Sequence, residues 1–383
     1  MVKNPVLLVL VVAALAAAIV LSFLSHAPNR LLSGQPVPWG VVLEGWRSLA
    51  SAPALVLLAG PFLPNGRITH GLVALAASAL IAGMIWLAGD VARSMADAAA
   101  PAARTSFGGA FWILAVMAAL AASDALQKLT REPALRIGLA LLLAVPAVFL
   151  VADGFIDALS IMKEYANRRA VFAAAVTTHL TIIAAMLVPT LAIGLPLRLL
   201  VHRRQRLGRP IFAVLNIIQT VPSIALFGLL IAPLAALVAF APALARLGIS
   251  GIGVTPAIIA LTLYSLLPIV RSTAAGLAAV PTAAIEAARG IGMTRGQIFR
   301  AVEVPLALPV LVAGLRVTVV QAVGLTAVAA LIGAGGLGAI IFQGLNASAI
   351  DLVMLGVVPL VGIAVLADLA LKLAGAMLKA RTG

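Results

Sequence analysis

PTAAIEAARGIGMTRGQIFRAVEVPLALP, residues 281–309, is a hydrophilic interruption between two strongly apolar runs. Its punctuation predicts a helix–turn–helix. Pro281 and Thr282 open the first helix, with proline in the first turn and Thr282 as the expected cap. That helix runs through Ile285, Glu286, Ala287 and Ala288. Gly290 and Gly292 stop it, because they supply the backbone freedom that a C-terminal cap needs. Thr294-Arg295-Gly296-Gln297 then fits a capping box, with threonine at the cap and glutamine three residues on. The second helix carries Ile298, Phe299, Val302 and Val304 and is expected to end at Pro305. The product is a compact two-helix knob at a membrane surface. Its small residues allow close approach by a partner backbone, and Glu286 and the arginines give it directional polar contacts.

The rest of the chain explains why a membrane surface is the setting. Of 383 residues, 63% are hydrophobic and only 10% are charged, with a mean hydropathy of +1.18. A soluble domain carries roughly 25% charged residues. So few charges cannot cover a water-facing globule of this size. Apolar runs of about 20 residues recur along the chain, each long enough to span a bilayer as a helix. They are rich in Ala, Leu and Gly and do not alternate with period two, which excludes a barrel. The fold class is therefore an all-α polytopic membrane protein of about ten transmembrane helices. The spans are expected near 5–25, 47–63, 70–90, 108–124, 134–152, 173–197, 211–232, 254–274, 306–330 and 352–376. Residues 233–249 are apolar but broken by Pro233, Pro242 and Arg246. Residues 331–345 are apolar and Gly-rich. Both read as re-entrant or interfacial pieces, the second beside a translocation path.

The net charge of +14 would point to nucleic acid in a soluble protein. Here Lys and Arg collect in cytoplasmic loops and set orientation. With both termini cytoplasmic, the inside loops hold twice as many Lys and Arg as the outside loops, which include Arg30. The cluster Arg198, Arg203, Arg204, Arg206 and Arg209 anchors that orientation. The expected location is a membrane crossed many times, with both termini on its cytoplasmic side. The first span, with Lys3 before it and Ser25-His26-Ala27 after it, is longer than a signal-peptide core and is expected to be retained. Cysteine is absent, which excludes disulfides and thiolate metal sites. The four histidines, His26, His70, His179 and His202, are scattered without metal or catalytic spacing. His179 is expected to cap a span or face the surface.

Polarity divides the chain near residue 170. Residues 1–170 form an Ala/Leu-rich membrane region of about five spans. Residues 171–383 hold nearly all the polar motifs, including the 281–309 loop.

That loop resembles the EAA loop of binding-protein-dependent ABC importers: Glu-Ala-Ala, three residues, Gly, nine residues, an aliphatic, one residue, an aliphatic and Pro. Here these are Glu286, Ala287, Ala288, Gly292, Val302, Val304 and Pro305. Valines stand where Ile and Leu are commoner in the family. The resemblance implies that Glu286, Ala287, Ala288, Gly292, Arg295, Val302 and Pro305 couple the permease to a separate cytoplasmic ATPase. The loop would seat in a groove of that subunit and pass its closure to the spans. In keeping with this, the chain has no G-x-x-x-x-G-K-[ST] phosphate loop, and neither catalysis nor a cofactor is expected of it. The resemblance covers roughly residues 173–378. NIIQTVPSIALFGLLIAP (216–233), ALTLYSLLPIVRSTAAGL (260–277) and ALIGAGGLGAIIFQGL (330–345) look like permeases for glycine betaine, choline and carnitine. The family implies three partners besides the bilayer: ATPase subunits, a second permease subunit, and an extracytoplasmic substrate-binding protein. An amino-acid importer, such as one for methionine, is the rival substrate reading.

Polar groups at membrane depth are costly and often functional. Gln219, Thr220, Tyr264, Gln321, Gly335 and Gly336 are the candidates for a translocation path. For the amides and Thr220, helix–helix hydrogen bonding is the competing role. Arg316 is expected to bond neighbouring carbonyls or snorkel, and Asp368 to pair with Lys372 four residues on. A quaternary ammonium needs aromatic faces, yet Tyr264 is the only Tyr or Trp in the C-terminal spans. Tight recognition is therefore assigned to the external binding protein. An ion-coupled secondary transporter would need an embedded carboxylate at a broken helix, but Asp153, Asp157 and Asp351 sit at span ends. An intramembrane enzyme would need a catalytic constellation at one depth, and none is present.

Overall fold

Residues 2–29, 32, 34–98, 102–203, 205–246 and 248–382 are described in the computed structural model. Arg30 and Arg204 of the charge census lie outside them. The chain divides into two compact units, Met1–Asn167 and Arg168–Gly383. Among the described residues, eight helices are long and apolar enough to cross a bilayer, and two shorter apolar helices accompany them. The polytopic, helical fold class stands.

In the first unit, α1 (Pro5–Val20) starts where Pro5 fixes the first turn and the Asn4 side chain accepts a bond from the Leu7 amide at 3.2 Å. Asn4 also donates to Asp124 across the unit, at 3.1 Å. The chain then forms β1 (Leu24–Ala27) and β2 (Gln35–Pro36). Next come α2 (Arg67–Ala98), β3 (Arg104–Phe107), α3 (Gly109–Leu129) and α4 (Pro133–Ala152). The strands make a small antiparallel sheet in the order β2-β1-β3. This sheet is an addition to the all-α expectation. Ser25-His26-Ala27 belongs to its central strand, where His26 Nδ1 lies 2.9 Å from the Thr105 hydroxyl. A core of Phe23, Leu24, Val42, Met84, Leu87, Val91, Phe111 and Leu159 ties this sheet to α2 and α3.

The stretch 47–63, expected as one span, is instead three short pieces: a 3-10 turn at Gly45–Ser51, a helix at Pro53–Ala59, and a 3-10 turn at Gly60–Phe62. Pro53 and Pro61 explain the breaks. Each lacks a backbone donor, so each restarts a helical piece instead of continuing one.

The second unit packs α5 (Arg169–Arg203), α6 (Gly208–Thr220), α7 (Ser223–Phe240) and α8 (Val254–Ala278) with the helices that follow. The expected span 211–232 is divided between α6 and α7. Pro222 forces the break, because it cannot donate and holds Val221 in extended backbone (ψ 129°). Pro233, expected to interrupt, lies inside α7, which runs on to Phe240. Ile182, Met186, Phe227, Leu261, Tyr264 and a set of alanines form the core. Small residues let the helix backbones approach closely, which apolar membrane packing requires.

After α8 come α9 (Thr282–Gly290), α10 (Arg295–Ile298), a π-helical turn at Phe299–Glu303, and α11 (Val304–Ala329). The chain closes with α12 (Leu337–Asn346) and α13 (Ile350–Thr382). At ten residues, α12 is about 15 Å long, half of the roughly 30 Å hydrocarbon core. It is therefore too short to cross that core by itself. Residues 333–336 before it carry three left-handed glycines. Gly338 lies so close to α11 that a Cβ on it would stand 2.0 Å from the Ala327 carbonyl oxygen. Gly338→Val should therefore force the helices apart and destabilise the second unit by about 1–3 kcal/mol or more. Gly324→Ala, which would meet nothing within 4 Å, should keep or raise stability. Thermal unfolding of the detergent-solubilised variants distinguishes the two.

Candidate functional site

The knob of residues 281–305 stands between α8 and α11. Its first helix, α9, begins after Pro281, which occupies the cap position without a side-chain bond. The expected cap, Thr282, is the first helical residue instead, because the fixed φ of Pro281 already leads the chain into the helix. The end of α9 follows the sequence closely. The Met293 amide bonds the Ala288 carbonyl at 3.1 Å, and the Gly292 amide bonds Arg289 at 2.9 Å. Gly292 sits at φ +84°. This is a Schellman motif, and it needs a residue that tolerates left-handed backbone at Gly292.

The turn then enters α10 through a complete capping box. The Thr294 hydroxyl accepts from the Gln297 amide, and Gln297 Oε1 accepts from the Thr294 amide at 2.8 Å. Two otherwise unpaired donors are satisfied together. The inner faces of the pair carry Ala288 and Ile298, both buried. The outer face presents Glu286, Ala287, Arg289 and Arg295 to the outside. Among the described residues, Glu286 and these arginines form no salt bridge. Below the pair lies an open concavity of about 1090 Å³, bordered by Leu199, Arg289, Arg295, Arg300 and Glu303.

The second helix does not end at Pro305. α10, the π turn and α11 follow one another without a break, so Arg295–Ile332 is a continuous helical run of 38 residues. Proline removes an i→i−4 bond and its ring presses on the preceding turn. The π turn at Phe299–Glu303 widens the helix just before Pro305 and places the proline in the first turn of α11. A helix-breaking residue thus becomes part of a continuous rod from knob to span. Val302 and Pro305 lie at this junction, both half-buried. Sequence reasoning missed Ile291. This residue is 80% exposed at the tip of the turn between α9 and α10. Its one sequence signal is an isoleucine between two glycines.

The path candidates divide. Gln219 donates to the Tyr264 carbonyl at 2.6 Å, and the Tyr264 hydroxyl bonds the Val221 carbonyl. Both side chains thus pin the α6–α7 break to α8, which is the helix–helix role. Thr220 bonds back to Ile217 at 2.8 Å. Gln321 lies on an exposed face of α11. Gly335 and Gly336 lie in the left-handed loop before α12, at φ +77° and +74°.

Two further expectations are corrected. Asp368 pairs with Arg316 across α11 and α13 at 2.5 Å, not with Lys372 on its own helix. The two helices pack together, and the guanidinium reaches a carboxylate before it reaches a carbonyl or water. His179 neither caps α5 nor faces the surface. It is fully buried, inside a helix that begins ten residues earlier, at Arg169. There it lies against Gly336, where an added Cβ would be 3.1 Å from Nδ1.

Spanning helices interrupted by a structured, exposed knob define a membrane subunit built to engage a partner. Residues 190–382 match the family described as binding-protein-dependent transport system inner membrane component, and residues 3–162 match the N-terminal domain of the ABC transporter permease YehY. The chain belongs to the binding-protein-dependent transport system inner membrane component family. It is 43% identical over 190 residues to the osmoprotectant import permease protein OsmW of Salmonella typhimurium, covering 50% of this chain and 83% of that protein. It is 40% identical over 178 residues to the glycine betaine/carnitine/choline transport system permease protein OpuCD of Bacillus subtilis, covering 46% and 71%. Among solved structures, a chain of the inward-facing MetNI methionine ABC transporter is 28% identical with a TM-score of 0.48, covering 54% of this chain and 96% of that one.

Thr294→Ala removes half of the capping box and should cost the knob about 1 kcal/mol, a roughly fivefold rise in local opening. Hydrogen exchange at the amides of Arg295–Ile298 should quicken by that factor, with α11 unchanged.

Proposed function

We propose that this chain is the membrane permease of an importer for glycine betaine or a related quaternary-ammonium osmoprotectant. The knob of residues 282–305 faces the cytoplasm and seats in a groove of a separate ATPase subunit. Glu286, Ala287, Ala288, Gly292 and Arg295 make the contact, with Ile291 at its tip. Val302 and Pro305 carry the motion into α11. Both chain termini are cytoplasmic, in the inner membrane. A second permease subunit completes the path, and an extracytoplasmic binding protein delivers the substrate.

The observation that carries this reading is the unbroken helical run from Arg295 to Ile332. A push on the knob moves a spanning helix without being absorbed in a loop. The substrate class rests on the relatives, which are named for osmoprotectants, glycine betaine, carnitine and choline. The scarcity of aromatic rings in the second unit fits a path that passes a quaternary ammonium without holding it. Tight capture of such a cation needs aromatic faces.

Radiolabelled glycine betaine uptake tests the coupling role. Glu286→Lys reverses the charge of an exposed knob residue and should abolish ATP-driven uptake, while membrane insertion and amount of protein stay normal. Unchanged uptake would remove the knob from the mechanism.

A further inference from the structure

The first unit contains a cavity that the transport reading leaves unused. It lies between α1, the broken segment 39–62 and α2, and its volume is about 200 Å³. Val11, Leu15, Trp39, Ala54, Leu58 and Met84 are among its walls. The two polar groups in the lining are already engaged. The Trp39 indole donates to the Ala18 carbonyl at 2.9 Å, and the Ser51 hydroxyl donates to the Ser48 carbonyl at 2.7 Å. Nothing in the walls is left to hold water, which needs two or more polar partners. An apolar cavity of about 150 Å³ already stays dry and takes up a hydrocarbon.

The cavity exists because Pro53 and Pro61 break the stretch between α1 and α2 into short pieces, so no full-length helix fills the space. It is also open. Leu15 and Leu58 line it and are 45% and 36% exposed, and the neighbouring Leu55 is 68% exposed. On a membrane-embedded unit such leucines face hydrocarbon, so the medium at the mouth is acyl chain. An empty void would deprive the walls of contacts on one side. A chain from the bilayer restores them without bringing any polar group inside.

We infer that this cavity is a binding site for the acyl chain of a bilayer phospholipid. The head group is not selected. Arg47, the cation of the same broken segment, is committed to Asp90 at 2.7 Å, to Ser94 and to the Val41 carbonyl. The inference depends on the membrane placement of the first unit and is independent of substrate and ATPase.

Trp39 is a built-in reporter. In a full-length variant carrying Trp46→Phe, Trp86→Phe and Trp112→Phe, it is the only tryptophan. Reconstituted into bilayers of phosphatidylglycerol brominated at mid-chain, its fluorescence should be strongly quenched, while aqueous iodide leaves it unaffected. Phosphatidylethanolamine of the same brominated chain should quench equally. Ala54→Phe fills the cavity and should cut the quenching at least twofold, and Ala14→Phe, from the opposite wall, should do the same. An unquenched Trp39 in the parent, quenching by iodide, or quenching untouched by both filling substitutions would each overturn the site.

Discussion

The structure depends on one mechanical continuity, a helix that carries a proline without stopping. Between Arg295 and Ile332 the backbone passes from the knob through a π turn into a spanning helix. Pro305 lacks a donor and would break an ordinary helix at this point. The widened turn ahead of it absorbs the mismatch, so the exposed helix pair and the spanning helix share one unbroken helical run. The Schellman turn at Gly292 and the capping box at Thr294 serve the same end by stiffening the corner between α9 and α10. In the proposed importer, this corner and rod transmit the closure of the ATPase.

The bilayer sets the second constraint. Hydrocarbon offers no hydrogen bonds, so each break in a helix needs partners within the protein. At the α6–α7 break the Tyr264 hydroxyl bonds the Val221 carbonyl. Within α8, the Tyr264 carbonyl, which Pro268 four residues on leaves without its helical donor, is bonded by Gln219. The charges follow the same rule. Arg316 and Asp368 meet across two packed helices, which is how ionisable side chains persist at membrane depth. Where α12 stops after ten residues, the glycine loop before it packs against the buried His179. Several residues that invite a transport role are thus also what keeps interrupted helices intact.

Much of this was legible in the sequence, and the failures have a common cause. Local signals with short reach read correctly: the capping box of Thr294 and Gln297, the left-handed Gly292, and the long apolar runs from Val254 and Ile350. Proline was the residue whose effect depended on context. Pro222 divided a run that looked continuous, Pro233 was absorbed inside α7, and Pro305 was carried by a π turn that no pattern announces. Pairings across the sequence were hidden for a different reason. The partner of Asp368 lies 52 residues away, so the local rule favoured Lys372. The burial of His179 depends on a glycine loop more than 150 positions later. The sheet that joins Leu24–Ala27 to Arg104–Phe107 was masked by short strands inside apolar surroundings.

Sidedness of the knob is the most direct test of the account. The chain has no cysteine, so Ala287→Cys introduces a single thiol on the exposed face of α9. A membrane-impermeant maleimide should label it in inverted vesicles but not in intact cells, and the bound ATPase subunit should protect it. Labelling from outside intact cells, or labelling that the ATPase leaves unchanged, would contradict the proposed coupling.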